Sequence, residues 1–213
     1  MRKDLISFKP VYSSLLSCDK DVEKMLKTLF ISSKPYSDIL KRLLIINNKD
    51  CLDMSNSDYK QVIDQYSLGD LMDKGYIRLS PKIARGTHEE IKTYILVSLD
   101  GFTPNIKSKH YIDYNINFDI ICYNDAWVLN DYKVRPLMIC GYIDGILNSL
   151  TQDNQRLEKT HQSHIKLSGI GEYQFLGCNF NVLNEDLSMY TLSYHGTHFI
   201  EDIKQLGNVN NVK

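Results

Sequence analysis

Neither sign of charge dominates this sequence: 25 Lys and Arg face 26 Asp and Glu in 213 residues, a formal net charge of -1. A chain this close to neutral sets up no positive field to gather a phosphate backbone, so tight general binding of nucleic acid is disfavoured. Long apolar runs are missing as well. None approaches the roughly 18 residues that a membrane-spanning helix needs, so no membrane partner is expected. The five cysteines (Cys18, Cys51, Cys122, Cys140, Cys178) are odd in number, widely scattered, without a CxxC pair and without a secretory leader before them. They read as reduced, mostly buried thiols of a protein made in the cytoplasm. GxSxG, Walker, GxGxxG and HExxH signatures are all absent, so no catalytic residue, cofactor or metal is assigned. The glycines at 169 and 171 come nearest to a phosphate loop, but they precede a strand and so offer no helix N-terminus to an anion.

What the sequence does have is aromatic bulk and periodicity. Its 14 tyrosines and 7 phenylalanines suit strands and interfaces. Over residues 19–31, Val22, Met25, Leu26, Leu29 and Phe30 recur at helical spacing, with Asp19 or Asp21 placed to cap the start. A second helix follows Pro35, with Ser37 or Asp38 as cap and a stripe of Ile39, Leu40, Leu43, Leu44 and Ile46. The polar segment CLDMSNSDYKQ connects to a third short helical piece, YSLGDLMDKG, ending at Gly75. Residues 1–75 thus read as a small helical N-terminal appendage.

Beyond Gly75 the period changes from 3.6 to 2. Residues 76–84 and 92–99 flank the turn RGTHEE and predict a hairpin, and DGFTPN predicts a turn after it. In the next strand Ile116, Phe118, Ile120 and Cys122 share one face, and Asn117, Asp119, Ile121 and Tyr123 the other. The alternation stops at NDAWVLNDYKV, which reads as a loop with an aromatic anchor. A helix then runs from Arg135-Pro136 to about Leu150, burying Ile139, Ile143, Ile146, Leu147 and Leu150, with Gly141 and Gly145 admitting a close neighbour. Residues 151–168 read as a projecting loop, 172–183 and 187–198 as two strands, and 201–213 as a flexible tail. The fold class expected is α+β. A mostly antiparallel sheet carries one long helix on a face, with 76–200 as the domain and the helical region before it.

The stretch NFDIICYNDAWVLND (residues 117–131) poses the functional question: active site or assembly edge? A nuclease would need clustered carboxylates with a lysine to hold a divalent ion and activate water. Asp100, Asp113, Asp119, Asp125 and Asp131 are numerous but form no compact acid-x-Lys unit, and most sit where turns are expected. His195 and His198 lie three apart on a strand and point to opposite faces, while His161 and His164 sit in a polar loop without a partner ligand at zinc spacing. Trp127, with Tyr123 and Tyr132, has mainly acidic neighbours that would repel phosphate, so a core or interface anchor is favoured over base stacking. Tyr123, Trp127, Tyr132 and Arg135 are therefore the candidate assembly residues.

Three ordered strings carry a family resemblance: YILVSLDGFTPN, then NFDIICYNDAWVLNDYKVRPLMICGYIDGIL, then LSGIGEYQFLGCNFNVLNEDLSMYTLSYHGTHFIED. Together, over residues 94–202, they resemble neck and tail-connector proteins of tailed bacteriophages, of the tail-terminator-like kind, and are similar to ring proteins of crAss-like phages. The resemblance implies a virion protein without catalytic residues. It would form a homo-oligomeric ring between portal and tail, touch neighbouring portal, neck and tail proteins, and line a channel through which genomic DNA passes without tight binding. A metal-dependent nuclease-like enzyme and a non-virion phage-encoded binding protein are the competing readings.

Overall fold

The computed structural model describes residues 13–30, 35–79, 92–106, 111–149, 164–167 and 171–199. Four helices come first: α1 (Ser13–Phe30), α2 (Pro35–Ile45), α3 (Ser57–Asp64) and α4 (Leu68–Asp73). Then follow β1 (Ile77–Arg78), β2 (Thr93–Pro104), β3 (Tyr111–Tyr123), α5 (Arg135–Ser149), β4 (His164–Leu167), β5 (Gly171–Val182) and β6 (Leu187–Phe199). The six strands form one sheet in the order β1-β2-β3-β6-β5-β4. The fold is α+β, as expected, but the sheet is mixed because β1 pairs with β2 in parallel.

That parallel pair corrects the expected hairpin. Residues 79–92 separate the two strands, and a connection of a dozen or more residues is long enough to carry the chain back to a parallel start. The RGTHEE turn lies outside the described residues. The expected turn at DGFTPN is instead a β-bulge inside β2: Asp100 pairs with Asn115 and Thr103 with Asp113, so Gly101 and Phe102 together oppose Tyr114. Gly101 takes φ +66°, which lets the strand continue past the extra residue. Polar residues also hid α3, whose start is fixed by Asn56: its side-chain oxygen accepts from the backbone N–H of Asp58 at 3.0 Å and of Tyr59 at 3.3 Å. Part of the expected loop at 151–168 is the strand β4, paired with β5. The rest of that loop, Leu150 and the 201–213 tail lie outside the described residues.

The helices of the N-terminal region do not hang clear of the sheet. Met25, Leu29, Leu40 and Leu44 share one buried cluster with Ile95, Val97, Ile116 and Phe118 of the sheet and with Ile139, Ile143 and Leu147 of α5. This corrects the picture of an appendage beside a single long helix, because α1, at 18 residues, is longer than the 15-residue α5 and contributes to the same core. An amphipathic stripe shows which side of a helix is apolar; it does not show what that side packs against. Gly141 and Gly145 are also corrected. A side-chain carbon at either would meet nothing within 4 Å, so they face open space and admit no neighbour among the described residues.

One buried polar knot ties α1 to the sheet. Asp21, expected as a helix cap, lies mid-helix and fully buried. Its Oδ2 accepts from the Tyr114 hydroxyl at 2.7 Å and from the Tyr173 hydroxyl, and the two phenol oxygens are 2.6 Å apart. Tyr114 and Tyr173 stand on strands either side of Gly196, each in register with it. Only a residue without a side chain leaves room for them to meet, since a Cβ at Gly196 would overlap the Tyr173 ring. Gly196→Ala is therefore expected to lower stability by about 2 to 3 kcal/mol through overpacking. Urea denaturation checks this, and a loss below about 0.5 kcal/mol, the range of an unremarkable surface substitution, would refute it.

Candidate assembly surface

The helices cover one face of the sheet; the other carries a small buried cluster of Tyr94, Leu96 and Ile121 beside a polar stretch. There the alternation expected for β3 sets up a cross-strand ladder with β6. Thr191 donates to Asp119 at 2.6 Å, Ser193 to Asn117 at 2.7 Å and Thr197 to Asp113 at 2.9 Å. His195 Nδ1 lies 3.0 Å from Asn115 Oδ1. Asp100 on β2 accepts from the amides of Asn115 at 2.9 Å and Asn117 at 2.8 Å. Burial raises the Asp119 carboxyl above its ordinary range; the Thr191 hydroxyl opposes that shift and Asp100 adds to it. Asp125 and Asp131, exposed beyond the sheet, pair with Lys92 at 3.2 Å and Lys133 at 3.6 Å. Among the described residues, no three His, Cys, Asp or Glu side chains converge as a metal site. His161 lies outside them.

The chain leaves β3 at Tyr123 and makes a short 3-10 turn, Asn124–Ala126. Asn124 fastens this turn to the β5–β6 connection: its amide donates to Glu185 O at 2.7 Å and its backbone N–H to Asp186 O at 2.9 Å. Trp127 then folds back over the sheet end. Its ring stacks on Tyr190, with centroids 5.8 Å apart, and meets Phe180 edge-on at 5.9 Å. The layer of helices does not reach this corner, so Phe180 is 50% exposed, Val182 67% and Val128 44%. A shallow cleft of about 340 Å³ opens here between Asn124, Trp127, Val128, Phe180, Ser188 and Tyr190.

A second turn, Asn130–Tyr132, holds both Asp131 (φ 60°) and Tyr132 (φ 58°) in the left-handed region. Two consecutive non-glycine residues there store strain of order 1 to 3 kcal/mol each. The strained backbone presents the Tyr132 ring 95% exposed.

The sequence places Arg135 among the assembly-surface candidates, and the structure corrects this. It is fully buried, and its guanidinium donates to five carbonyls: Ala126 at 2.8 Å, Leu43 at 2.9 Å, Ile46 at 2.7 Å, Asn47 at 2.9 Å and Asn48 at 2.9 Å. Four of these belong to the C-terminal end of α2 and the residues after it, where helix carbonyls lack intrahelical partners and a cation is favoured. Backbone bonds from Arg135 N to Trp127 O at 2.9 Å and from Asn130 N to Lys49 O at 3.0 Å complete the join. Arg135 thus positions the loop that displays Trp127 and Tyr132. Tyr123, on the opposite sheet face from Tyr190, lies under the Lys92 ammonium at 5.0 Å. Of the four candidates, then, Trp127 and Tyr132 share one exposed loop, Tyr123 turns away and Arg135 is interior. Phe180 and Tyr190 were missed: strand alternation marks both as inward-facing, and nothing local says that the covering layer stops short of them.

An α+β domain with helices on one sheet face, a polar ladder on the other and an aromatic corner left open is the class that fold and site define. Residues 37–195 match the model of the YomW family, and the chain belongs to that family. YomW is a phage-associated family, which makes this a phage-related protein. No curated protein matches the chain, and no solved structure does.

Proposed function

We propose that this protein is a non-enzymatic structural component of a phage particle, a subunit of a homo-oligomeric ring in the neck or tail connector between portal and tail. It is made in the host cytoplasm and ends in the virion, where it touches neighbouring portal, neck and tail proteins. The observation that carries this reading is the open aromatic corner of Trp127, Tyr190 and Phe180, beside a tyrosine held outward on strained backbone. A half-buried tryptophan packed on a partly open aromatic corner, beside an exposed tyrosine, is the kind of group that anchors protein interfaces. A closed ring joins one patch of each subunit to a different patch of the next, and this corner supplies one of the two.

Charge supports the channel part of the reading. The four long strands β2, β3, β5 and β6 contain no Lys or Arg, and the polar face presents Asp100, Asp113 and Asp119. Each phosphate neutralised adds affinity through counterion release, so a wall whose long strands carry no cation, with Arg78 and Lys92 lying over Tyr94 and Tyr123 at one end, holds DNA weakly.

Trp127→Ala with Tyr132→Ala is expected to keep the native circular dichroism and to lower the copies per purified particle at least tenfold, by mass spectrometry, as loss of a 2 kcal/mol anchor would. Wild-type copy number in the double variant would sink the assembly role. Magnesium- or manganese-dependent cleavage of DNA by the purified protein, lost in Asp119→Asn, would favour the nuclease instead.

A further inference from the structure

We propose that Cys140 and Cys178 are a dithiol site that closes to an intramolecular disulfide under mild oxidation, stapling α5 to β5. Their sulfurs lie 3.8 Å apart, in contact across the join between helix and sheet. A disulfide needs about 2.05 Å between sulfurs, so closure asks for a movement of about 1.8 Å, within reach of small side-chain adjustments. The partners differ in access: Cys178 is exposed and Cys140 is buried. That asymmetry separates an attacking thiol open to solvent from a resolving thiol held behind it. One turn further along α5, the Tyr194 hydroxyl donates to Asp144 Oδ1 at 2.9 Å and holds the same helix against β6, so the two sulfurs stay in contact. The other cysteines are placed differently. Cys18 and Cys51 are buried on α1 and after α2, and Cys122 is buried on β3 with its sulfur 3.3 Å from the Thr93 hydroxyl.

With a hydroperoxide as oxidant the chemistry balances. The Cys178 thiolate attacks one peroxide oxygen, the O–O bond breaks, and with a proton one water leaves, giving the sulfenic acid. The Cys140 sulfur then attacks the Cys178 sulfur, the S–O bond breaks, and the hydroxyl departs as a second water with the Cys140 proton. Two thiols and one hydrogen peroxide thus become one disulfide and two waters. The bond closes a loop across 38 positions and constrains the unfolded chain, so the thermal midpoint is expected to rise on the order of 10 °C. It also fixes a helix that carries two solvent-facing glycines, Gly141 and Gly145, which weaken it intrinsically.

The site rests on the geometry of the two thiols and not on the proposed role in the particle, so purified protein tests it alone. The reduced full-length chain is exposed to stoichiometric hydrogen peroxide, then denatured, alkylated and digested. The expected product is monomeric, lighter by two hydrogens, with the peptides of Cys140 and Cys178 joined, and dithiothreitol reverses both the link and the gain in midpoint. Cys178→Ser, a change at an exposed position, should abolish the link and leave Cys140 alkylatable. Cys140→Ser should leave a Cys178 sulfenic acid that a dimedone probe traps. Disulfide-linked dimers through Cys178, oxidation of Cys178 to sulfinic acid with Cys140 still free, or no reaction of either thiol would each overturn the proposal.

Discussion

Replacing Arg135 with methionine is expected to lower stability by about 4 kcal/mol, more than any surface change in the molecule. The guanidinium is buried without a carboxylate among its bonded partners; five backbone carbonyls surround it. Methionine keeps most of the apolar stem, so the loss reports the polar bonds rather than a cavity. A buried acceptor left without a donor costs about 1 to 3 kcal/mol, and those at Leu43, Ile46 and Ala126 have no easy route to water. The carbonyls of Asn47 and Asn48 are nearer the surface and recover part of their loss by hydration. Arg135→Lys should rescue little. An ammonium has three donors at one point, whereas the guanidinium spreads five over a planar fork that spans the end of α2 and the Trp127 turn. Denaturant unfolding measures the change, and the near-ultraviolet dichroism of Trp127 should weaken as its turn comes loose. A loss under about 1 kcal/mol would show that the clamp is not what holds the loop.

The same residue shows where sequence reading ran out. Arginine is usually exposed, and nothing near position 135 announces an interior one. Three of its partner carbonyls lie 87 to 89 positions away and another 92, and a backbone carbonyl has no identity in a sequence. Tyr114, Tyr173 and Asp21 are hidden for a similar reason, their meeting depending on register across three strands and a helix. What was legible is what periodicity encodes. The alternation of β3 gave its buried face, Ile116, Phe118 and Ile120, and placed Asp119 outward. The stripes of α1 and α2 gave their buried residues, and Trp127 was correctly placed in a loop after β3. The errors fell where one local signal serves two purposes. Gly101 in DGFTPN marks a bulge as readily as a turn, and SNSDYKQ caps a helix as readily as it makes a loop. Likewise, Gly141 and Gly145 imply a close neighbour only if something lies opposite, which α5 alone cannot reveal.

Above about pH 10 the protein should lose stability steeply, and its buried tyrosines are the reason. Tyr114, Tyr173 and Tyr194 are fully buried, and each phenol is raised well above its ordinary value. Burial is the main cause in all three; Tyr114 is pushed further by Tyr173 and Asp21, Tyr173 by Asp21, and Tyr194 by Asp144. A free tyrosine releases its proton near pH 10, so in the unfolded chain these three ionise there while in the folded chain they do not. Above that pH the folded state binds more protons, and stability falls as pH rises, by about 1.4 kcal/mol per pH unit for each tyrosine. Three together give a slope of about 4 kcal/mol per unit, enough to exhaust an ordinary margin of 5 to 15 kcal/mol within a few units. Cys122, pushed up to about 11 by burial, acts with the same sign from about pH 8.5, where a free thiol begins to ionise, so the decline starts gently and then steepens. In a spectrophotometric titration, Tyr114, Tyr173 and Tyr194 should ionise only with the unfolding transition, seen as a rise in tyrosinate absorbance coincident with loss of circular dichroism. Tyr194→Phe removes one of the three phenols and should reduce the slope by about 1.4 kcal/mol per pH unit. An unchanged slope in that variant, or ionisation of all 14 tyrosines while the fold persists, would mean that these phenols are not sealed in the core.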